Sequence, residues 1–379
     1  MQIQTSAIHA LRDLEHRAVV PPVHLASTFA LDPATDGGDF AYQRPSNPTR
    51  AQLETVLATL EGSAHAFAYA SGMAATAAAL STFTAGDEIL LPASVYGGTY
   101  RFVDRVLPGR GVTGRYVDHL DDLTDADFTP ATRAVFVETP ANPTLRITDL
   151  RRVIELAHRH DALVIVDNTF MTPVLQKPLE LGADVVVQSA TKYLAGHSDL
   201  LAGVVTTNDD RLAEAYRLSQ QAEGGVLAPQ DSFRLIQSLK TLPLRLERQQ
   251  ANAQAITEHL REHEDIAAVW FPGSHSEHEA RLHASQANGP GAVLSFELAE
   301  GLDRVAFLEA LRFPAYAVSL GGVESLICRP ATMTHEAMTP QARAAAGISD
   351  EMLRLSVGIE DLQDLLGDLD QGFAAARPR

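Results

Sequence analysis

Two rhythms of apolar and polar positions run along this chain, and they change near residue 207. Between Ala64 and Ala202, short apolar runs rich in Val, Ile and Ala alternate with longer amphipathic or alanine-rich stretches. The runs HAFAYA (65–70), EILL (88–91), RAVFVE (133–138), LVIVDN (163–168) and VVVQ (185–188) have the length of buried strands. The segments between them, SGMAATAAALSTF (71–83), VYGGTYRFVDRVL (95–107) and LRRVIELAHRH (150–160), predict helices. Such alternation predicts an α/β fold with a mostly parallel sheet covered on both faces. Each strand stops at small or polar residues, so those residues gather along one sheet edge, where ligands of open α/β sheets bind.

The flanks differ. Residues 1–50 carry Pro21-Pro22, Asp36-Gly37-Gly38 and the run YQRPSNPTR (42–50), and predict an extended arm lying on another surface, plausibly a neighbouring subunit. A helix from Arg50 to Leu60 follows, with Leu53, Val56, Leu57 and Leu60 on one face. Beyond 207 a long helical pattern spans Asp231 to His263, interrupted near Pro243. After it come AAVWF, GAVLSFEL, YAVSL and MLRLSVGI as strand-like pieces, with helical EALRF and a terminal DLLGDLDQGFAAA. The expected organisation is an arm (1–50), a main domain (51–245) and a smaller α+β domain (246–379).

Composition narrows the function. The chain has 379 residues, 45% hydrophobic and 21% charged, with a net charge of −18 that disfavours a nucleic-acid partner. One cysteine, Cys328, excludes an intrachain disulfide and a cysteine-rich metal site. The first residues lack the apolar core of a signal peptide and no apolar run is long enough to span a bilayer, so no membrane association and a cytoplasmic location are expected.

Only three of the 30 basic residues are lysines, Lys177, Lys192 and Lys240. Lys192 follows a buried strand and the small polar cluster Ser189, Ala190 and Thr191. A partly desolvated lysine can lose its proton and attack a carbonyl, whereas arginine stays charged. The neighbouring hydroxyls suit a phosphate, and pyridoxal phosphate is an aldehyde that carries one; the alternative is a surface lysine after a strand. Ser71-Gly72-Met73 stands where a strand turns into a helix, a natural phosphate cradle or an ordinary turn. Asp167 ends the strand LVIVD and would keep a pyridine nitrogen protonated; the alternatives are an N-cap or a metal ligand. Tyr96, before Gly97-Gly98, suits stacking on a pyridine ring and proton relay, or a place in the core. Asn142 could reach a cofactor oxygen or a substrate carboxylate, or serve a turn. Arg354, inside an apolar strand, needs an anion, supplied by a substrate carboxylate or by a structural salt bridge. His275, His278 and His283 with Glu277 and Glu279 lie in a polar, turn-rich stretch that reads as a solvated helix start, and no metal is expected.

Taken together, the motifs YQRPSNPTR, ASGMAA, VYGGT, ETPANPT, VDNTF, SATKYLAGHSD, SLGGVES and LRLSVGIED resemble the pyridoxal-phosphate enzymes of cysteine and methionine metabolism. That group includes cystathionine γ-synthase, cystathionine γ-lyase, cystathionine β-lyase and methionine γ-lyase. The resemblance implies the aminotransferase-like fold (fold type I) with a smaller C-terminal domain. It implies that Lys192 binds the cofactor covalently, that Asp167 pairs with its ring nitrogen, and that Gly72, Met73, Ser189 and Thr191 contact its phosphate. Tyr42 and Arg44 would reach the phosphate held by a neighbouring subunit, in a homo-oligomer that is typically a tetramer built from dimers. Tyr96 would stack on the ring, Asn142 would lie near the cofactor oxygen and substrate, and Ser319 and Arg354 would hold the substrate carboxylate.

Within that group, members acting on cystathionine commonly carry glutamate where this chain has Val318, methionine γ-lyases carry cysteine at the position of Gly98, and β-lyases an aromatic at that of Leu320. The expected activity is a carbon–sulfur α,γ-elimination on cystathionine, methionine or homocysteine. γ-Replacement on an O-acylhomoserine is the alternative. A non-catalytic scaffold of the same fold is disfavoured by the intact Lys192, Asp167, Tyr96 and Arg354.

Overall fold

The computed structural model of the protein describes residues 1–11, 17–336 and 338–378. Its larger sheet has seven strands: β1 (His65–Tyr69), β2 (Glu88–Pro92), β3 (Thr113–Val117), β4 (Thr132–Glu138), β5 (Leu163–Asp167), β6 (Val185–Gln188) and β7 (Gly203–Thr207). They lie in the order β1-β7-β6-β5-β4-β2-β3. Only β7 runs against its neighbours, pairing antiparallel with both β6 and β1. The strands β4, β5 and β6 are buried on both faces because Val, Ile, Ala and Phe occupy successive positions rather than alternate ones.

Helices at Gly72–Leu80, Gly97–Arg105 and Leu150–Arg159 return the chain between strands. The first is nearly all alanine on its sheet side, which lets it pack closely: a Cβ at Gly203 in β7 would stand 2.1 Å from the Ser71 carbonyl oxygen just before it. Helix Pro48–Glu61 lays Leu53, Val56, Leu57 and Leu60 into the core, as their spacing requires, and Asn47 caps it by accepting from the amides of Thr49 and Arg50.

A second, five-stranded sheet comprises β8 (Ile266–Trp270), β9 (Val293–Leu298), β10 (Ala315–Tyr316), β11 (Leu326–Cys328) and β12 (Leu353–Ser356), ordered β10-β11-β12-β9-β8. The long helical pattern is two helices, Pro229–Leu239 and Leu242–Glu262, and the break falls at Lys240–Thr241, with Pro243 inside the first turn of the second. The boundary expected at 245 lies within this second helix. Buried leucines of this helix, of helix Pro48–Glu61 and of β12 belong to one continuous core, so the two sheets are mechanically joined.

Six elements depart from the sequence expectations. β3 reads TGRYV and is only half-buried, so it lacks an apolar run. β7 begins with glycine and ends in two threonines. β11 is three residues long, and YAVSL supplies only the two-residue strand β10. Helix Asp210–Ala222 is mostly polar, with a narrow buried face of Ala213, Tyr216, Ser219 and Gln220. The arm is not wholly extended: it holds helix Ile3–His9 and a Thr28–Tyr42 bridge.

The close approach at Gly203 generates a test. Gly203→Ala has no flexible neighbour to push aside, and is expected to cost about 1–3 kcal/mol of stability, read as a lowered denaturation midpoint. A midpoint equal to the parent's would show that β7 and the Ser71 turn are not in contact.

Candidate active site

The carboxyl ends of β4, β5 and β6 open into a cleft of about 410 Å³ that the second sheet closes from one side. Lys192 lies four residues beyond β6, in a tight turn where its amide donates to the Ser189 carbonyl. The turn is backed by Arg245, whose guanidinium donates to the carbonyls of Tyr193 and Leu194. Lys192 Nζ donates to Ser319 Oγ at 2.7 Å. Burial, followed by the like charge of Arg354, lowers the proton affinity of this amine to about 8. Ser319 itself sits at φ +99°, a strained conformation for a residue with a side chain, and the following Gly321 is pressed against the Tyr193 backbone.

Asp167 ends β5 beside the lysine turn, its Cα paired with that of Val187 in β6. One carboxylate oxygen accepts from the amide (3.0 Å) and hydroxyl (2.5 Å) of Thr169, and that hydroxyl also accepts from the Ser189 amide at 2.8 Å. Burial raises the Asp167 carboxyl against the opposing hydrogen bonds from Thr169, and it forms no ion pair among the described residues. A carboxylate pinned in place beside a reactive lysine, without a cationic partner, fits a protonated ring nitrogen.

The phosphate end is legible in the glycine. At the start of helix Gly72–Leu80, Ser71 Oγ accepts from the Ala74 amide, leaving the amides of Gly72 and Met73 at the positive end of the helix. A Cβ at Gly72 would collide with Ser189 at 2.7 Å, so glycine brings the two cradle segments together. Thr191 lines the same cleft, with its hydroxyl engaged by the Ala202 carbonyl and amide.

Arg354 on β12 is 2% exposed, and both its bonded nitrogens face neutral acceptors: Nη1 to Asn142 Oδ1 at 2.8 Å and Nη2 to the Ser319 carbonyl at 2.7 Å. It is not in a structural salt bridge among the described residues, which leaves a buried cation directed at an anion from outside. Its cross-strand neighbour is Cys328, 1% exposed, whose thiol is raised by burial. Tyr96 stands at the cleft mouth, 41% exposed. Its ring leaves no room at Gly98, where a Cβ would meet Tyr96 Cε1 at 2.5 Å and Met73 Sδ at 2.9 Å.

Tyr42 and Arg44 are not in this cleft. Both are exposed, with the Arg44 guanidinium 5.9 Å from the Tyr42 ring centre. The histidines 275, 278 and 283 do not converge: His275 meets the Thr144 carbonyl, His283 the Gly289 carbonyl, and His278 is exposed.

Three neighbours of the site went unread in the sequence. Thr169 and Glu138 each sit next to a residue or motif that was singled out, but their bonds cross between elements. His335 is fully buried near Arg354 with Nδ1 2.8 Å from Thr334 Oγ1, and burial lowers its imidazole to about 4, so it stays neutral.

A lysine of lowered proton affinity, an aspartate suited to a pyridinium, an anion cradle at a helix start and an unpaired guanidinium define a fold type I pyridoxal-phosphate enzyme. The comparisons agree and go further. The model of the family described as "Cys/Met metabolism PLP-dependent enzyme" matches residues 4–374. A cystathionine beta-lyase of Lactococcus lactis subsp. cremoris (strain MG1363) is 44% identical over 375 residues, covering 98% of both chains. The structure of a cystathionine gamma-lyase from Lactobacillus plantarum complexed with L-serine superposes with TM-score 0.96 at 43% identity, over 99% of each chain. That of a cystathionine gamma synthase from Xanthomonas oryzae pv. oryzae in complex with cystathionine gives 0.95 at 43% identity, over 99% of this chain and 98% of the other. The chain belongs to the Cys/Met metabolism family of pyridoxal-phosphate enzymes.

The lysine generates the second test. In cofactor-free protein, labelling of Lys192 by an amine-selective reagent should rise through pH about 8. Arg354→Met removes a like charge and should move that midpoint upward. A midpoint near that of a lysine side chain in a short peptide, in both proteins, would show that the cleft does not perturb the amine.

Proposed function

We propose that the protein catalyses α,γ-elimination from a sulfur amino acid, cystathionine or related methionine and homocysteine, consuming water and yielding a 2-oxo acid, ammonia and a thiol. The observation that carries this reading is Lys192 Nζ held by Ser319 Oγ, with lowered proton affinity, between Asp167 and Arg354. Bound pyridoxal phosphate supplies an electron sink for the bonds at the substrate's α and β carbons. Gly72, Met73, Ser189 and Thr191 would hold its phosphate, Asp167 its ring nitrogen, Tyr96 its ring face and Asn142 its ring oxygen. Lys192 Nζ, its proton affinity lowered to about 8, has a substantial neutral fraction near physiological pH; it would remove the Cα proton, give that proton up to the cofactor, and then remove a Cβ proton. Arg354 orients the α-carboxylate by bidentate contact, and Ser319 steers the lysine amine. The Tyr96 hydroxyl protonates the leaving sulfur.

The outer wall of the cleft carries Val318, Leu201, Leu320 and Met333, an apolar surface that suits a thioether better than a second charged group. γ-Replacement needs only that a nucleophile enter before the remaining steps, and the similarity to a gamma synthase keeps it as the alternative. Leu320 does not by itself set β-elimination aside, since a relative named beta-lyase is 44% identical. Incubation with cystathionine, methionine, homocysteine, and O-acylhomoserine plus cysteine, with thiol and oxo acid assayed separately, decides among them. Homocysteine and pyruvate from cystathionine, in place of cysteine and 2-oxobutanoate, would replace γ-elimination by β-elimination.

The exposed Tyr42 and Arg44 support a shared site in which the arm of one chain reaches the phosphate held by another, in a homo-oligomer built from dimers and located in the cytoplasm. Mixing inactive Tyr42→Phe chains with inactive Lys192→Ala chains should restore activity, because one site per mixed dimer then has both groups intact. Mixed dimers as inactive as either parent would remove the shared site.

A further inference from the structure

Glu138 has no part in the chemistry described above, yet it is buried at the centre of it. It ends β4, its Cα is paired with that of Asp167 in β5, and paired residues of parallel strands direct their side chains to the same face. Two carboxylates therefore stand side by side at the floor of the cleft. That arrangement is costly: burial and then the Asp167 charge push the Glu138 carboxyl up, while the amides of Tyr96 and Asn142, followed by the Arg354 charge, favour its ionised form. A neutral residue would avoid the cost, so the carboxylate must provide something a neutral side chain cannot.

Its bonds show what that is. Glu138 Oε2 accepts from the Tyr96 amide at 2.8 Å, and Oε1 accepts from the Asn142 amide at 3.3 Å. These amides come from different loops, one after β2 and one after β4 itself, and their side chains stand on the cleft wall. Carboxylate is the side chain of this length that accepts from two N–H groups at once and donates to neither. Tyr96 is the N-cap of Gly97–Arg105; its carbonyl accepts from the Tyr100 amide at 2.9 Å, but it makes no side-chain cap bond, so the Glu138 bond is what holds its own amide. A second cavity, of about 300 Å³, is also lined by Glu138, so the carboxylate stands in the wall between two spaces.

We infer that Glu138 is a positioning residue for the reaction: through two backbone amides it sets Tyr96 over the bound ring and Asn142 against Arg354. The inference rests on the roles given to Tyr96 and Asn142 under the proposed function. Asn142 Oδ1 is the acceptor for Arg354 Nη1, so the same clamp carries through to the guanidinium that holds the substrate.

Glu138→Gln must turn an NH₂ group toward one of the two amides and lose that bond. Glu138→Asp is too short to reach both, and serves if the glutamine variant folds poorly. In the holoenzyme, the expected result is a fall in kcat/KM of about 10-fold or more with a changed visible circular dichroism of the bound cofactor, which reports the ring's surroundings. Because Glu138 acts through its partners, its effect should shrink severalfold when Tyr96→Phe or Asn142→Ala is already present. Full additivity with both, together with an unchanged visible dichroism, would overturn the inference and leave Glu138 as a structural residue. If Tyr96→Phe and Asn142→Ala alone retained parental kinetics, the roles assigned under the proposed function would fall first, and the positioning of Glu138 with them.

Discussion

A lysine can serve as base and nucleophile only while its proton is loosely held, and this cleft achieves that first by burying the amine and then by facing it with no paired anion among the described residues. Lys192 Nζ meets a neutral hydroxyl, Ser319 Oγ, and the like charge of Arg354 adds to the effect of burial. A single carboxylate at hydrogen-bond distance would reverse this, since an ammonium paired with an anion is a poor base. The strained Ser319, the glycine behind it and the buried Arg245 under the lysine turn all follow from keeping a neutral partner at that one point.

Charge is distributed around this amine in an order that makes sense for an amino-acid substrate. The carboxylates are placed below, at the ends of β4 and β5, and the unpaired guanidinium is placed above, on β12. Under the proposed function, each end is a buried group whose electrostatic cost would be offset by a ligand charge of the opposite sign, the ring nitrogen at one end and a carboxylate at the other. Uncompensated burial of this kind destabilises the empty chain and favours the loaded one. Stability and ligand recognition thus draw on the same groups.

Much of this was readable in the chain because the relevant positions end strands. Asp167, Asn142 and Lys192 each follow a β-branched run, and in a parallel sheet that alone puts them on one edge. Gly72 was readable as a glycine at a strand–helix turn. What stayed hidden depended on distant pairings. Arg354 lies 212 residues from Asn142, and no local pattern specifies that bond. Glu138 was quoted as the last residue of a strand, but its worth comes from amides on two loops. The strands β3 and β7 were missed for a plainer reason: one is a half-buried edge strand, the other a glycine–threonine strand, and neither shows the apolar run that marks its neighbours.

The lone sulfhydryl of this polypeptide is sealed between two strands next to Arg354. Attack of a protein thiol on an oxidised, disulfide form of a small thiol requires access as well as ionisation of the protein sulfur; Cys328 is 1% exposed and burial raises its thiol. If the chain liberates thiols as proposed, its one sulfhydryl is kept out of reach of mixed disulfides with the product.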